Sequence, residues 1–142
     1  MIADDIMTRK PLTVTETVTI GEALTLLSEE GIRHLPVVRG GDVVGILSDR
    51  DFGNLGLSMV SEAYSYDRLR AQLSQPVSVL MSGGVVTVAR DASVAEVVDV
   101  LLEEKLSALP VVEPGTQELA GIVSYVDVLR AAQPMLREDG ED

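Results

Sequence analysis

The chain has 142 residues, an aliphatic-rich composition and a formal net charge of −12. Hydrophobic residues make up 46% of it, but aromatic residues only 3%, so the core must consist of Val, Leu, Ile and Ala. The negative charge excludes a broad basic surface for nucleic acids. A small phosphorylated ligand is not excluded, because a local cluster of cations is screened from distant charges beyond about 10 Å.

The residue types that are absent or rare in the sequence exclude further classes of function. The sequence contains no cysteine and a single histidine, His34, which excludes disulfides and cysteine nucleophiles and argues against a zinc site. No apolar stretch approaches the roughly 20 residues of a membrane-spanning helix, and the acidic start of the chain is unlike a signal peptide. We therefore predict a soluble cytoplasmic protein with no metal site and with neither nucleic acid nor membrane as a partner.

An internal repeat organises the chain. At an offset of 74 residues, Met7 aligns with Met81, and the Leu-Pro-Val-Val segment at 35–38 aligns with the one at 109–112. A two-residue insertion in the second copy then changes the offset to 76. This offset aligns four residues of one copy with four of the other: Gly45, Ile46, Ser48 and Asp51 with Gly121, Ile122, Ser124 and Asp127.

The first copy reads as strand, helix, strand, strand, helix. A short strand is predicted at 11–14, and the Thr19-x-x-Glu22 spacing is that of a capping box at the start of a helix. Apolar residues follow with helical spacing, and Gly31 can end that helix in a left-handed conformation. Strands at 35–39 and 42–47 flank a Gly-Gly hairpin turn.

The second copy repeats this order. A capping box begins at Ser93, Lys105 stands in the place of Gly31, and strands are predicted at 109–112 and 119–123. Residues 61–73 can form a connecting helix, and the acidic end at 134–142 is expected to fray. The predicted domains are residues 1–60, a connecting segment at 61–76, residues 77–136 and an acidic tail at 137–142. Units of about 60 residues bury little surface alone, so the two should pack together.

Each copy ends in an apolar run followed by Ser-x-x-Asp, at Ser48 and Asp51 and again at Ser124 and Asp127. The local spacing favours a helix cap, worth about 1 kcal/mol. The alternative is a ribose clamp, because a carboxylate can accept hydrogen bonds from two ribose hydroxyls and the adjoining helix N-terminus can accept an anion.

Arg33 and Arg50 lie beside the first Ser-x-x-Asp motif, and the second copy has Ser107 and Val126 in their places. They are either surface arginines paired with carboxylates, each pair worth up to about 1 kcal/mol, or multidentate donors to phosphate. The asymmetry favours two unequal sites. His34 lacks the sequence partners of a catalytic base, which favours a structural or ligand-lining role.

With both motifs present twice and in the same order, the chain resembles a tandem pair of CBS domains, named for cystathionine β-synthase. The resemblance covers about residues 6–129. It implies an α/β (α+β) fold in which two β-α-β-β-α units pack about a pseudo-twofold axis. It also implies a regulatory module rather than an enzyme, with clefts between the units for AMP, ADP, ATP, S-adenosylmethionine or similar ligands.

The resemblance implies ligand-binding roles for eight residues at matching positions: Thr13, Arg33, Ser48, Arg50, Asp51, Thr87, Ser124 and Asp127. The aspartates would hold ribose hydroxyls, the serines would contact ribose or phosphate, and the threonines would lie near the base. Phosphate contacts in the family often come from the opposite copy, so the arginines would serve the ribose held by Asp127. No cofactor is required, and Mg²⁺ would assist only as the companion of a nucleotide.

Family members often attach this module to an enzyme, channel or transporter, whereas here the pair is nearly the whole chain. It is expected to act alone, as a homodimer, or on a separate regulated partner. Two alternatives stay open. The loss of cationic donors in the second copy favours a structural or oligomerisation module with vestigial clefts. An enzyme would need a nucleophile–base pair, a glycine-rich phosphate loop or a metal cluster, and none appears in the sequence.

Overall fold

The computed structural model describes residues 1–52, 65–81 and 84–140. The first part of the helix predicted at 61–73 lies outside these ranges. The described chain is a mixed α and β structure that divides into two compact units. We call Leu12–Val85 the first-repeat unit, and Met1–Pro11 together with Val86–Asp142 the second-repeat unit.

Within each repeat the helices and strands follow the predicted order, but two further elements precede the first repeat and a 3₁₀ turn precedes the second. The first strand of the first repeat lies at Val14–Thr15, not at the predicted 11–14. In chain order the elements are α1 (Ala3–Ile6), β1 (Thr8–Arg9), β2 (Val14–Thr15), α2 (Ile20–Glu30), β3 (His34–Arg39), β4 (Asp42–Ser48), α3 (Ser65–Leu73), a 3₁₀ turn (Val77–Leu80), β5 (Val88–Ala89), α4 (Val94–Glu104), β6 (Ala108–Val112), β7 (Leu119–Ser124) and α5 (Tyr125–Gly140). Residues 49–52 are also helical. None of the helices in the described ranges is both long and apolar enough to cross a membrane.

The first-repeat unit contains a three-stranded sheet in the order β2-β3-β4. Strand β2 is parallel to β3, and β3 is antiparallel to β4. The turn between β3 and β4 has φ 58° at Gly40 and 89° at Gly41, which favours glycine at both positions. Helix α2 begins after Thr19, whose hydroxyl accepts a hydrogen bond from the Glu22 amide at 3.0 Å, and ends at Gly31 with φ 62°. The predicted hairpin and helix caps are therefore confirmed.

The second-repeat unit contains a four-stranded sheet in the order β1-β7-β6-β5. Helix α4 is capped by Ser93 as predicted, and Lys105 ends it with a left-handed φ of 56°. Helix α5 continues through Pro134 to residue 140, so the expectation of fraying at 134–142 is wrong for residues 134–140. The reason is that Met135, Leu136, Arg137 and Glu138 are good helix formers, which outweighs the single backbone hydrogen bond that a proline removes.

The two repeats exchange their leading segments. Met1–Pro11 precedes the first repeat but packs in the second-repeat unit, where the amide of Ala3 donates to the carbonyl of Ala92 at 2.8 Å. The equivalent segment before the second repeat packs in the first-repeat unit, where the amide of Val77 donates to the carbonyl of Val18, also at 2.8 Å. The compact units therefore do not follow the boundaries 1–60 and 77–136 drawn from the sequence repeat.

The glycine that opens each Gly-Ile-x-Ser-x-x-Asp motif packs closely against a residue of the exchanged segment. A Cβ atom at Gly45 would lie 2.6 Å from Cε of Met81. A Cβ atom at Gly121 would lie 2.6 Å from both Sδ of Met7 and the carbonyl oxygen of Thr8. Both distances are too short for real contacts, but the atom near Gly45 is the flexible end of a side chain, whereas Gly121 also meets a backbone atom. Packing therefore requires glycine at position 121 more strictly than at position 45.

Each unit has its own core, which is aliphatic except for Phe52. The core of the first-repeat unit includes Ile20, Leu27, Leu35, Val37, Leu47, Phe52 and Val77. The core of the second-repeat unit includes Ala3, Met7, Val88, Val97, Leu101, Leu109, Val111 and Val123. Each list contains residues of an exchanged segment, so the exchanged segments complete the cores.

Candidate functional site

The Ser-x-x-Asp motif lies at the junction of a strand and a helix in both units. Strand β4 ends at Ser48, and Oδ2 of Asp51 accepts a hydrogen bond from the Ser48 amide at 2.8 Å. Strand β7 ends at Ser124, and Oδ2 of Asp127 accepts from the Ser124 amide at the same distance. The carboxylate half of the predicted helix cap is therefore confirmed in both copies.

The capping contacts are tighter in the second copy. The hydroxyl of Ser124 lies 3.0 Å from Oδ2 of Asp127 and accepts a hydrogen bond from the Asp127 amide at 3.3 Å. The hydroxyl of Ser48 lies 3.4 Å from Oδ2 of Asp51. These contacts use one oxygen of each carboxylate, and a carboxylate has about four lone-pair positions on two oxygens. Capping is therefore compatible with a second role in binding hydroxyl groups.

We call the strand end that carries the Ser-x-x-Asp motif the mouth of each unit. Backbone hydrogen bonds bring the residue before the central strand to this mouth. The amide of Asp49 donates to the carbonyl of Arg33 at 3.0 Å, and in the other unit the amide of Tyr125 donates to the carbonyl of Ser107 at 3.0 Å. In the β3–β4 pair, His34 lies opposite Ser48. The backbone thus places Arg33 beside the first motif.

The mouth of the first-repeat unit is rich in charge, and that of the second-repeat unit is not. Arg33, His34 and Arg50 surround the first motif, with the two arginines exposed and His34 half-buried. The positions equivalent to these three are Ser107, Ala108 and Val126. Two unequal sites therefore remain a prediction that rests on these differences in residue identity.

His34 lies among these charges without becoming a strong base. Its burial at the start of β3 is the largest effect and lowers the pKa of His34 below the ordinary value. The Asp49 carboxylate raises that pKa, and the Arg33 guanidinium lowers it. Asp51 also raises the pKa of His34 and Arg50 also lowers it, both with smaller effects. The imidazole is therefore neutral at neutral pH.

The two predicted threonines flank the sheet ends that carry the motifs. Thr13 directly precedes Val14, which pairs with Val37 in β3, so Thr13 lies toward the end at which β3 begins. Thr87 has the equivalent position before Val88 of β5. Thr13 is exposed and Thr87 is half-buried. Each threonine thus belongs to the motif-bearing end of its own sheet.

One residue at these mouths was not identified from the sequence. Tyr125, the first residue of α5, is 45% exposed and occupies the place that Asp49 has in the first copy. The 76-residue offset pairs Tyr125 with Asp49, and that alignment was the signal that could have identified it. An exposed aromatic ring beside Ser124 gives the second mouth an apolar surface where the first has a carboxylate.

A separate cavity lies between the start of α2 and α3, and none of the predicted site residues is among its lining residues. It has a volume of about 290 Å³ and is lined by Thr19, Tyr66, Leu69, Arg70, Leu73 and Ser74. The guanidinium of Arg70 lies 5.1 Å from the centre of the Tyr66 ring. Within the described residues, no group of three or more acidic or histidine side chains is arranged to hold a metal ion.

Comparison with known proteins identifies relatives over nearly the whole chain. The family model described as CBS domain matches residues 3–53 and 77–134. The A-adding tRNA nucleotidyltransferase of Aquifex aeolicus is 31% identical over 94% of this chain, and protein MJ1225 of Methanocaldococcus jannaschii is 30% identical over 92% of it. The matched regions are 15% and 49% of those two proteins, so the chain spans at most about half of their length.

Two similar solved structures are CBS proteins with bound ligands. The CBS domain pair of protein MJ0100 in complex with 5′-methylthioadenosine and S-adenosyl-L-methionine has a TM-score of 0.76 and 26% identity, covering 95% of this chain and 98% of that one. CBSX2 of Arabidopsis thaliana in complex with AMP has a TM-score of 0.77 and 27% identity, covering 96% and 98%.

Proposed function

The chain belongs to the CBS domain family, and from this we propose that it is a regulatory module that binds an adenosine-containing nucleotide. The observation that carries the proposal is the doubled strand–Ser-x-x-Asp–helix junction, with its capped aspartates at Asp51 and Asp127. Similar CBS structures bind AMP, or S-adenosylmethionine together with methylthioadenosine, which supports this ligand class.

The proposed ribose contacts use the aspartates. Capping holds each carboxylate in one orientation at the mouth of its sheet, so little side-chain entropy is lost when a ribose hydroxyl donates to it. Ser48 and Ser124 would contact ribose or phosphate through their hydroxyls, and Thr13 and Thr87 would lie near the base.

The proposed phosphate contacts use Arg33 and Arg50. Both side chains are exposed at one mouth, and a planar guanidinium donates several hydrogen bonds to one phosphate. By the family pattern they would serve the ligand whose ribose Asp127 holds. A net charge of −12 opposes an anionic ligand, so Mg²⁺ bound to a di- or triphosphate would assist binding.

We further propose that the module is not an enzyme, requires no cofactor, acts in the cytoplasm and forms a homodimer or acts on a separate partner protein. An apolar stripe on α5 supports a partner surface: Tyr125, Leu129 and Leu136 are 45%, 59% and 67% exposed and have helical spacing.

A second candidate function is a structural or oligomerisation module with a vestigial second site. The observation that favours it is the mouth of the second-repeat unit, where Ser107, Ala108 and Val126 provide no cation. A stable dimer whose melting temperature does not respond to any nucleotide would favour this alternative.

Calorimetric titration tests the nucleotide proposal. AMP, ADP, ATP and S-adenosylmethionine are titrated with and without Mg²⁺ into the unmodified chain and into Asp51→Asn and Asp127→Asn. Asparagine keeps an oxygen for the cap, and loss of a charged hydrogen-bond acceptor should weaken binding by roughly 10-fold or more. Asp42→Asn, at the far end of β4, is the matched control. Unchanged affinity in both motif variants would exclude the ribose role, and no heat with any ligand would exclude the function.

A further inference from the structure

The leading segment Met1–Pro11 is held on the second-repeat unit only by contacts with residues far from it in sequence. Its Ala3 side chain is fully buried, with a relative exposure of 0%. Strand β1 pairs with β7, with Thr8 opposite Ile122. The Asp4 carboxylate binds the Arg90 guanidinium at 2.8 Å, and the Asp4 amide donates to the Arg90 carbonyl at 2.9 Å. None of these contacts requires that segment and unit belong to one chain.

The connection from this segment to the first-repeat unit is short and conformationally unfavourable. Strand β1 ends at Arg9 and β2 begins at Val14. Between them, Lys10 has a positive φ of 49°, a region that L-residues other than glycine rarely adopt. Pro11 follows, and a residue before proline strongly prefers an extended backbone. Straightening the chain at Lys10 would therefore relieve strain.

We propose that Met1–Pro11 exchanges between two copies of this chain. In this dimer, in which the segment is exchanged between two chains, the backbone at Lys10 is extended. Met1–Pro11 of each copy then occupies the surface formed by Ala92, Arg90 and β7 of the other copy. Every contact of the segment is reproduced, and only the connection changes, which is the condition for low-cost exchange. This inference does not depend on nucleotide binding or on the apolar stripe of α5.

Mixed single-cysteine chains test the exchange directly. The chain has no cysteine, so a disulfide can form only between introduced residues. One batch carries Thr8→Cys and another carries Ile122→Cys, because these positions lie opposite each other across antiparallel strands at a separation that a disulfide can span. The batches are mixed, unfolded, refolded at high protein concentration and oxidised. We expect a disulfide that joins one chain of each kind, with a yield that rises with concentration.

Three controls define the result. A double variant with both cysteines in one chain, refolded at low concentration, should close an intrachain disulfide, which shows that the geometry allows the bond. Ile2→Cys with Ser93→Cys, an isolated antiparallel bridge, provides an independent second pair. Arg39→Cys mixed with Asp42→Cys should give no mixed disulfide, because these residues face each other across the tight β3–β4 turn and cannot exchange.

The connection itself is tested with two variants of Lys10. Lys10→Gly removes the conformational strain and should lower the yield of mixed disulfide several-fold, whereas Lys10→Val, which is β-branched, should raise it. Mixed chains that stay unlinked while the double variants close their intrachain disulfides would overturn the proposal. Equal yields from the two Lys10 variants would also overturn it.

Discussion

Glu16 and Arg39 form an ion pair at 2.5 Å, and the residues 74 positions later, Arg90 and Glu113, form the same ion pair with the charges reversed. Each pair joins the end of the first strand of a repeat to the end of its central strand. Reversing both charges leaves the attraction unchanged. The two copies therefore have the same ion pair, although both residues of the pair differ between them. The Arg90 side chain also binds Asp4 of the exchanged segment.

The charge-reversed pairs predict a rescue experiment. Arg39→Glu places two carboxylates together and should lower the melting temperature, and adding Glu16→Arg should restore it, because the double variant copies the arrangement at Arg90 and Glu113. The Arg39 side chain is exposed and that of Glu16 is half-buried. The ion pair is therefore accessible to salt, and the difference should shrink in 1 M NaCl, where charges are screened within about 3 Å. The two variants are compared by circular dichroism melts. A double variant no more stable than Arg39→Glu would contradict this prediction.

Asp4 predicts an acid-sensitive contribution to stability. Hydrogen bonding from Arg9 first, and then from Arg90, lowers the pKa of the Asp4 carboxyl below its ordinary value. A carboxyl with a lowered pKa in the folded state stabilises that state above its ordinary pKa, and the stabilisation is lost as pH falls through the lowered value. Asp4→Asn should therefore melt lower than the unmodified chain at pH 7, and the gap should close in strong acid. Asp5→Asn is the neighbouring control. A gap that stays constant with pH would be inconsistent with this origin.

The two motif glycines should differ in their tolerance of a methyl group. At Gly121 the added Cβ would meet the backbone carbonyl of Thr8, which cannot move without breaking the β1–β7 pair, whereas at Gly45 it would meet the flexible end of Met81. Gly121→Ala should lower the free energy of unfolding by about 2 kcal/mol or more, and Gly45→Ala by less. Urea unfolding measures both.

A second substitution distinguishes the side-chain clash at Gly45 from the backbone clash at Gly121. Met81→Leu should recover much of the loss in Gly45→Ala, because the shorter side chain vacates the site of the clash. Met7→Leu should not recover Gly121→Ala, because the clash with the Thr8 carbonyl remains. Equal losses at the two glycines, or equal rescue, would contradict the assigned contacts.

Lys105 is a site where a glycine should increase stability. It ends α4 with φ 56°, the conformation that Gly31 has at the end of α2. Lys105→Gly should raise the free energy of unfolding by about 0.5–1 kcal/mol, because glycine has no Cβ to clash in this conformation. Gly31→Ala should have the opposite effect. Chemical denaturation of both variants checks the pair, and a destabilised Lys105→Gly would refute the reasoning.

His34 predicts a loss of stability in mild acid. Burial lowers the pKa of His34 in the folded protein, so the unfolded chain takes up the proton first as pH falls. The histidine therefore destabilises the fold progressively from neutral pH down to its lowered pKa, and contributes nothing above its ordinary pKa. His34→Ala, which copies Ala108, should show a shallower fall of melting temperature between about pH 7 and 5.5. Parallel curves for the two proteins would show that His34 is not responsible.

Local chemistry made the hairpin and the helix ends predictable. The Gly-Gly turn fixed β3 and β4 to within one residue, and the Thr19 and Ser93 caps fixed the starts of α2 and α4, because each signal lies within four residues of its effect. The Ser-x-x-Asp cap was also predictable. The local spacing did not decide between a cap and a ribose clamp, because both roles require the same residues.

Contacts between distant residues were not predictable. The repeat shows that Met7 and Met81 are equivalent, but it does not show against which copy each one packs. The position of Arg33 at the mouth depends on a backbone bond from Asp49 that requires the register of β3 and β4. The reversed ion pairs were not predictable because their members lie 23 residues apart and differ in identity between the copies.

The exchange of leading segments affects how the chain can be divided. A cut between the sequence repeats, near residue 75, would leave the first half without Val77 and the second half without Ala3 and Met7, which are buried in those cores. Neither half would then be a complete folding unit, although the two should complement each other when mixed. Leu12–Val85, in contrast, is one continuous stretch. A gene fragment with these boundaries, which follow the compact unit and not the sequence repeat, would therefore encode a whole core.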